Sequence, residues 1–323
     1  MRTFQLDRPG DLAEAVRILA EDEGARVIAG GTDLVTLMRD GIQQPSRVLD
    51  LRDLGLTEIE WQPDGGVRIG ALCPNAVDDR RLAAEYPLVV AALRAGASPQ
   101  IRNMATFGGN ILQQTRCAYY RLPEFACNRR DPGTGCAALR GDSAKQAIFG
   151  VSDTCNAVHP SDLAVALSAL EAEVLVHGPA GARRIPIREF HPLPGDTPHR
   201  VSALRDGELV TGIELPAAGR GRVSNYVKFR DRASFAFALA SAAVVIERAG
   251  TVVLGARIAL GGVAPKPWRA EHAERALVGN RLDEDSIAAA SAAAVRGATP
   301  RKDNEYKVEL VRRVVRRALS ELE

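Results

Sequence analysis

Hydrophobic positions recur at helical spacing over residues 11–20, where Leu12, Val16 and Leu19 share one face behind an acidic start. A short apolar run, residues 26–29, predicts a strand that enters the turn Gly30-Gly31-Thr32-Asp33. A second helix follows with Leu34, Leu37 and Met38 on one face, and residues 47–51 predict another strand. The first fifty residues therefore form a small β-α-β unit. Residues 67–70 are strand-like, and residues 80–95 are helical with an interruption at Pro87. A second paired-glycine turn, at residues 105–110, precedes an apolar stretch.

Between residues 114 and 159 the periodicity disappears. It returns at His159-Pro160-Ser161-Asp162, a helix start followed by Leu163, Ala166, Leu167 and Leu170. Residues 173–176 and 209–215 predict strands, and residues 216–222 have loop composition suited to a domain boundary. Strands are then expected at 226–229, 238–247 and 252–260, and helices at 268–278, 284–295 and 303–320. The last helix carries Val308, Val311, Val315 and Leu319 on one side and Arg312, Arg313, Arg316 and Arg317 mostly on the other, which reads as a solvated amphipathic face. The fold class is α+β.

Charge and composition narrow the function. The 42 Lys+Arg and 40 Asp+Glu among 323 residues leave a net charge of +2, without the basic excess of a nucleic-acid footprint. No apolar run approaches the roughly 20 residues of a membrane span. The start of the chain lacks an apolar h-region, so no secretory signal is predicted. The five histidines, His159, His177, His191, His199 and His272, make no H-E-x-x-H arrangement, and neither Ser234 nor Ser241 lies in a nucleophile elbow. Hydrolytic chemistry has no candidates.

The two glycine turns are candidate anion sites, because glycine lets successive amide N–H groups converge on a phosphate. A pyrophosphate bridge would use both, with Thr32, Asp33, Thr106 and Asn110 adding side-chain hydrogen bonds. Neither turn is G-x-G-x-x-G or a Walker motif, so each is equally readable as a tight turn.

Four of the five cysteines, Cys117, Cys127, Cys136 and Cys155, crowd into one segment with C-x9-C-x8-C-x18-C spacing. Disulfides would need an oxidising compartment. Zinc favours C-x2-C pairs, and there are none. Four thiolates spread through an irregular loop suit an iron–sulfur cube with one ligand per corner. Zinc and four unrelated buried cysteines stay open as alternatives. The Pro132-Gly133-Thr134-Gly135 turn would let amides approach the sulfurs, and Arg116, Arg121, Arg129 and Arg130 would offset their charge. Tyr119 and Tyr120 would line the cluster, meet a partner or pack the loop, and His159 is a weaker alternate ligand. Cys73 has no ligand role.

The string Val27-Ile28-Ala29-Gly30-Gly31-Thr32-Asp33-Leu34 resembles the first flavin loop of the FAD-binding medium subunits of the xanthine dehydrogenase and carbon monoxide dehydrogenase family. Residues 105–110 are similar to that family's second loop, His159-Pro160-Ser161-Asp162-Leu163 to its Pro-x-Ser-Asp stretch, and residues 226–230 to the start of its C-terminal domain. These matches follow the family's order over nearly the whole chain. The resemblance implies a two-lobed FAD domain, with subdomains at 1–57 and 58–216, and a C-terminal sheet-plus-helices domain at 217–323. It implies that residues 27–34, Thr106, Gly109 and Asn110 surround the FAD pyrophosphate, and that Asp162, Leu204 and Lys228 lie along the cofactor. For Asp162 the competing reading is a helix cap, with Ser161 a rival for that place, and for Lys228 a surface lysine.

Against the family pattern, residues of about 114–158 read as an insertion bearing a [4Fe–4S] cluster on Cys117, Cys127, Cys136 and Cys155. That resembles the branch of periplasmic-type bacterial aldehyde oxidoreductases, with 4-hydroxybenzoyl-CoA reductases as the other cluster-bearing branch. The implied partners are a large molybdenum-cofactor subunit and a small [2Fe–2S] subunit, with electrons leaving through FAD to an external acceptor. Rival readings are a free-standing flavin enzyme and a non-catalytic nucleotide-binding scaffold with a zinc-stabilised loop. The expected location is the cytoplasm, or the periplasm by export with a partner that carries a twin-arginine signal.

Overall fold

A computed structural model describes residues 1–219 and 221–323. The first lobe is a three-stranded parallel sheet of β1 (Gln5–Asp7), β2 (Ala25–Ile28) and β3 (Arg47–Asp50), in the order β1-β3-β2. Parallel pairing requires crossovers, supplied by α1 (Leu12–Glu21) and α2 (Leu34–Arg39). The Asp11 carboxylate caps α1 by accepting from the Glu14 N–H at 2.8 Å. This helix turns Ala15, Val16 and Ile18 onto the sheet.

The second lobe is an antiparallel sheet of β4 (Ile59–Trp61), β5 (Val67–Gly70), β6 (Glu173–Gly178), β7 (Gly181–Pro186) and β8 (Leu209–Leu215), ordered β4-β5-β8-β6-β7. Helices α3 (Arg80–Glu85), α4 (Pro87–Ala95), α5 (Pro99–Met104) and α6 (Phe107–Ile111) follow β5. Pro87 does interrupt the expected long helix, and it opens α4 at the position where its missing N–H costs nothing. Further along come α7 (Ala118–Arg121), inside the cysteine segment, then α8 (Asp162–Ala169) and α9 (Ile187–Phe190). All eight residues of α8 are buried. An all-round buried helix belongs in a core, and Leu163, Ala166 and Leu167 share one with Ala243, Val245 and Ala259 of the third lobe.

That third lobe is an antiparallel sheet, β9 (Arg222–Phe229), β10 (Ala240–Ala249), β11 (Val252–Gly261) and β12 (Trp268–Arg269), covered by α10 (Glu271–Leu277), α11 (Glu284–Ala293) and α12 (Tyr306–Ser320). Its core includes Ile148 and Phe149, from the exit of the cysteine segment. That exit is held by the start of α12. Lys307, 1% exposed, donates to the carbonyls of Lys145, Gln146 and Gly262 at 3.2, 3.0 and 2.8 Å. Asn304 donates to those of Gln146 and Ala147, and the Thr299 N–H to that of Ile148. Burial, with a smaller push from Lys145, pulls the Lys307 amine down to about 7.

Candidate functional site

The first glycine turn is shaped by close approach. A Cβ on Gly30 would lie 1.6 Å from the Met104 carbonyl oxygen at the end of α5, and Gly31 holds φ at +70°. Both demands select glycine. The turn leaves the N–H groups of Gly30, Gly31, Thr32 and Asp33 without a protein acceptor among the described residues. Four consecutive amides without a partner, in residues that line a cleft, are donors available to an anion.

The second turn is built differently from the expected loop. Gly108 and Gly109 lie within α6, and their amides are already engaged. The Phe107 N–H donates to the Cys73 carbonyl at 2.9 Å, Gly108 to Ala71 at 2.8 Å and Asn110 to Thr106 at 2.8 Å. Thr106 caps the helix by accepting from the Gly109 N–H at 3.2 Å. What this turn provides is proximity, since a Cβ on Gly108 would meet that of Ala71 at 3.0 Å.

Between the turns lies an open cleft of about 340 Å³, lined by Val27, Ile28, Ala29, Gly30, Gly31, Thr32, Asp33 and Leu34, by Thr106 and Gly109, and by Leu204. Leu37, Gln113 and Gln114 also line it, although sequence reading assigned them no site role. The only prior signal for Leu37 was its place on the apolar face of α2.

Asn110, Asp162 and Lys228 stand outside this lining. Asn110 accepts from the Ser161 hydroxyl at 2.6 Å and from the Gln113 amide at 3.0 Å. Ser161, rather than Asp162, caps α8. Lys228 is a buried strand lysine, not a surface one: it donates to Asp162 at 2.7 Å and to the Ala95 carbonyl at 3.0 Å. The Tyr226 hydroxyl donates to the same carboxylate at 2.6 Å. Burial and the Asp162 charge hold the Tyr226 phenol well above its ordinary value. This pair ties α8 to β9.

The four cysteines, all unbridged, come together in one cluster with Leu37, Tyr120, Ala138 and Ala157. Cys127 and Cys136 face each other across an isolated antiparallel bridge. Burial raises the thiols of Cys117 and Cys155, and takes that of Cys136 to about 11, with Cys155, Cys117 and Cys127 adding to the rise. The Gln146 side-chain amide is 3.5 Å from the Cys117 sulfur. Among the described residues no three His, Cys, Asp or Glu side chains converge as ligands of a metal ion. Cys73 sits apart in the second-lobe core.

Several neighbours behave differently from expectation. Arg116 and Arg121 pair with Asp33, and Arg130 donates to the carbonyls of Tyr119, Tyr120, Leu122, Pro123 and Phe125. The charge of Arg129 favours the Cys155 thiolate. The amides of Gly133 and Gly135 donate to Asn128 Oδ1 at 3.2 and 2.7 Å, not to sulfur. His159 packs against His191, ring centres 4.1 Å apart, outside the cysteine cluster. Burial, and then the neighbouring His191, hold its imidazole well below the ordinary value.

The fold sets the unpaired amides of Gly30 to Asp33 in the lining of a cleft that Thr106 and Gly109 of the second turn also line. Residues 2–218 match the model of the FAD binding domain in molybdopterin dehydrogenase, and residues 225–322 that of the CO dehydrogenase flavoprotein C-terminal domain. The chain belongs to this family of FAD-binding oxidoreductase subunits. It is 43% identical over 325 residues to the aldehyde oxidoreductase FAD-binding subunit PaoB of Escherichia coli (strain K12), covering 99% of this chain and 98% of that protein. It is 29% identical to the carbon monoxide dehydrogenase medium chain of Afipia carboxidovorans, with 98% and 96% covered. A solved carbon monoxide dehydrogenase from Hydrogenophaga pseudoflava superposes with a TM-score of 0.78 at 27% identity, over 99% of this chain and 96% of that one. No helix among the described residues is long and apolar enough to cross a membrane.

Proposed function

We propose that this chain is the electron-transfer subunit of a molybdenum-dependent aldehyde oxidoreductase-type complex. It takes electrons from a large molybdenum-cofactor subunit through a small [2Fe–2S] subunit and passes them, at a FAD site, to an external acceptor. The observation that carries this reading is the row of four unpaired amides, from Gly30 to Asp33, on the wall of the cleft. In this role those amides hold the pyrophosphate beside Thr32, and Leu204 and Leu209 add apolar lining that excludes water. Bound FAD supplies two-electron redox chemistry that no side chain here can perform. The 43% identity to an aldehyde oxidoreductase subunit favours that class of complex over its xanthine and carbon monoxide relatives.

We assign residues of about 114–158 as an insertion, with Cys117, Cys127, Cys136 and Cys155 as ligands of a [4Fe–4S] cluster. Support comes from their shared packing and from the Gln146 side-chain amide 3.5 Å from the Cys117 sulfur, the kind of hydrogen bond that tunes such clusters. A zinc ion would instead draw all four sulfurs to about 2.3 Å from one point. On this proposal the complex works in the cytoplasm, or in the periplasm by export with a partner that carries a twin-arginine signal.

Protein purified anaerobically, with any copurifying subunits, tests the assignment. Denaturation should release FAD, and analysis should find about four iron and four sulfide per chain. Replacing any one of Cys117, Cys127, Cys136 or Cys155 by Ser should lower the iron content. Absence of flavin, or zinc in place of iron, overturns it.

A further inference from the structure

We infer that Asp33 is a positioning residue that latches the cysteine segment to the flavin-side turn, so that filling either site tightens the other. The inference rests on the function proposed above. Asp33 occupies the N-cap position of α2 but makes no side-chain cap bond. Its carboxylate is spent on contacts with the cysteine segment, while its N–H belongs to the unpaired row in the cleft lining. Oδ2 accepts from the Gln114 N–H at 2.7 Å. Oδ1 meets Arg116 Nη1 at 2.7 Å and Arg121 Nη2 at 3.0 Å. Two guanidinium groups and an amide on one carboxylate are strong, charge-assisted contacts.

From there the connection to sulfur is continuous. Arg121 Nε donates to the Thr115 carbonyl at 3.0 Å. The fully buried Thr115 hydroxyl accepts from the Cys117 N–H at 3.2 Å and donates to the Val158 carbonyl at 2.9 Å. Both ends of the cysteine segment are therefore tied to Asp33 through two residues. One turn along α2, Leu37 lines the cleft and also packs in the cysteine cluster, so this side chain is a wall shared by the two sites. Whatever orders residues 30–33 fixes Asp33 and Leu37, and with them the approach to Cys117. Such coupling is reciprocal by linkage.

The full chain tests this, prepared with and without its iron. FAD affinity, read from flavin fluorescence, should be about tenfold tighter in the iron-loaded form. Arg121→Gln, outside the cleft lining, should bring the ratio between the two forms close to one and speed iron release to a chelator. Arg121→Lys, which keeps the charge, should restore part of the ratio. If Arg121→Gln does not fold, the two wild-type forms alone decide. Equal FAD affinity in both wild-type forms overturns the latch, and so does an unchanged ratio in a folded Arg121→Gln variant. A wild-type chain that binds no FAD, or never carries iron, overturns the functional reading and the latch together.

Discussion

The two glycine turns look alike in sequence and do opposite work. At residues 30–33, which line the cleft, the amides have no protein acceptor among the described residues, and the glycine at 30 is imposed by the Met104 carbonyl. At residues 107–110 the amides are bonded within the protein, and the glycines let α6 lie against Ala71. A Gly-Gly pair thus marks only a place where backbones come close. Whether its N–H groups remain open to a ligand depends on what lies behind the turn. Behind the second turn run the carbonyls of Ala71 and Cys73, just beyond β5, which take its donors before a ligand can.

This difference should separate binding from stability. Gly30→Ala is expected to abolish FAD content and to cost about 3 kcal/mol, because a Cβ cannot share space with a carbonyl oxygen. Flavin released on denaturation, together with urea unfolding, measures both effects, and a variant with normal flavin would erase the distinction. Gly108→Ala should cost about 1–3 kcal/mol in the same unfolding experiment while the folded protein keeps its flavin. Loss of FAD at full stability would show that the second turn binds directly. Thr106→Ala removes the cap of α6 and should cost about 1 kcal/mol, with at most a small loss of FAD affinity.

Much of this architecture was legible because the periodic elements carry their own signals. The amphipathic pattern near 303–320 became α12, and residues 284–295 became α11, opened by an Asp283–Ser286 capping box. The strands β1, β4 and β7 went unread, and β12 takes the start of the helix expected at 268–278, which begins only at Glu271 as α10. Strands β1, β4 and β12 have three residues or fewer, too few for alternation, and β7 is mostly exposed with Arg183 and Arg184 at its centre. For the site, residues 27–34 were readable as a local string. The partners of Asp33 were not, because Gln114 and Arg121 lie 81 and 88 residues further along the chain. Sequence reading gave Arg116 and Arg121 to the sulfurs as nearby positive charge. The fold gives them to a carboxylate, where both guanidinium groups make charge-assisted contacts.

The grip of α12 on the exit of the cysteine segment has a consequence for the order of events in synthesis. The carbonyls of residues 145–148 find their donors at Thr299, Asn304 and Lys307, on a part of the chain translated about 150 residues later. A nascent chain that already holds every cysteine still lacks these anchors, and with them the core that seats Ile148 and Phe149. The segment that gathers the thiols acquires its full support only after residues 299–307 have been made.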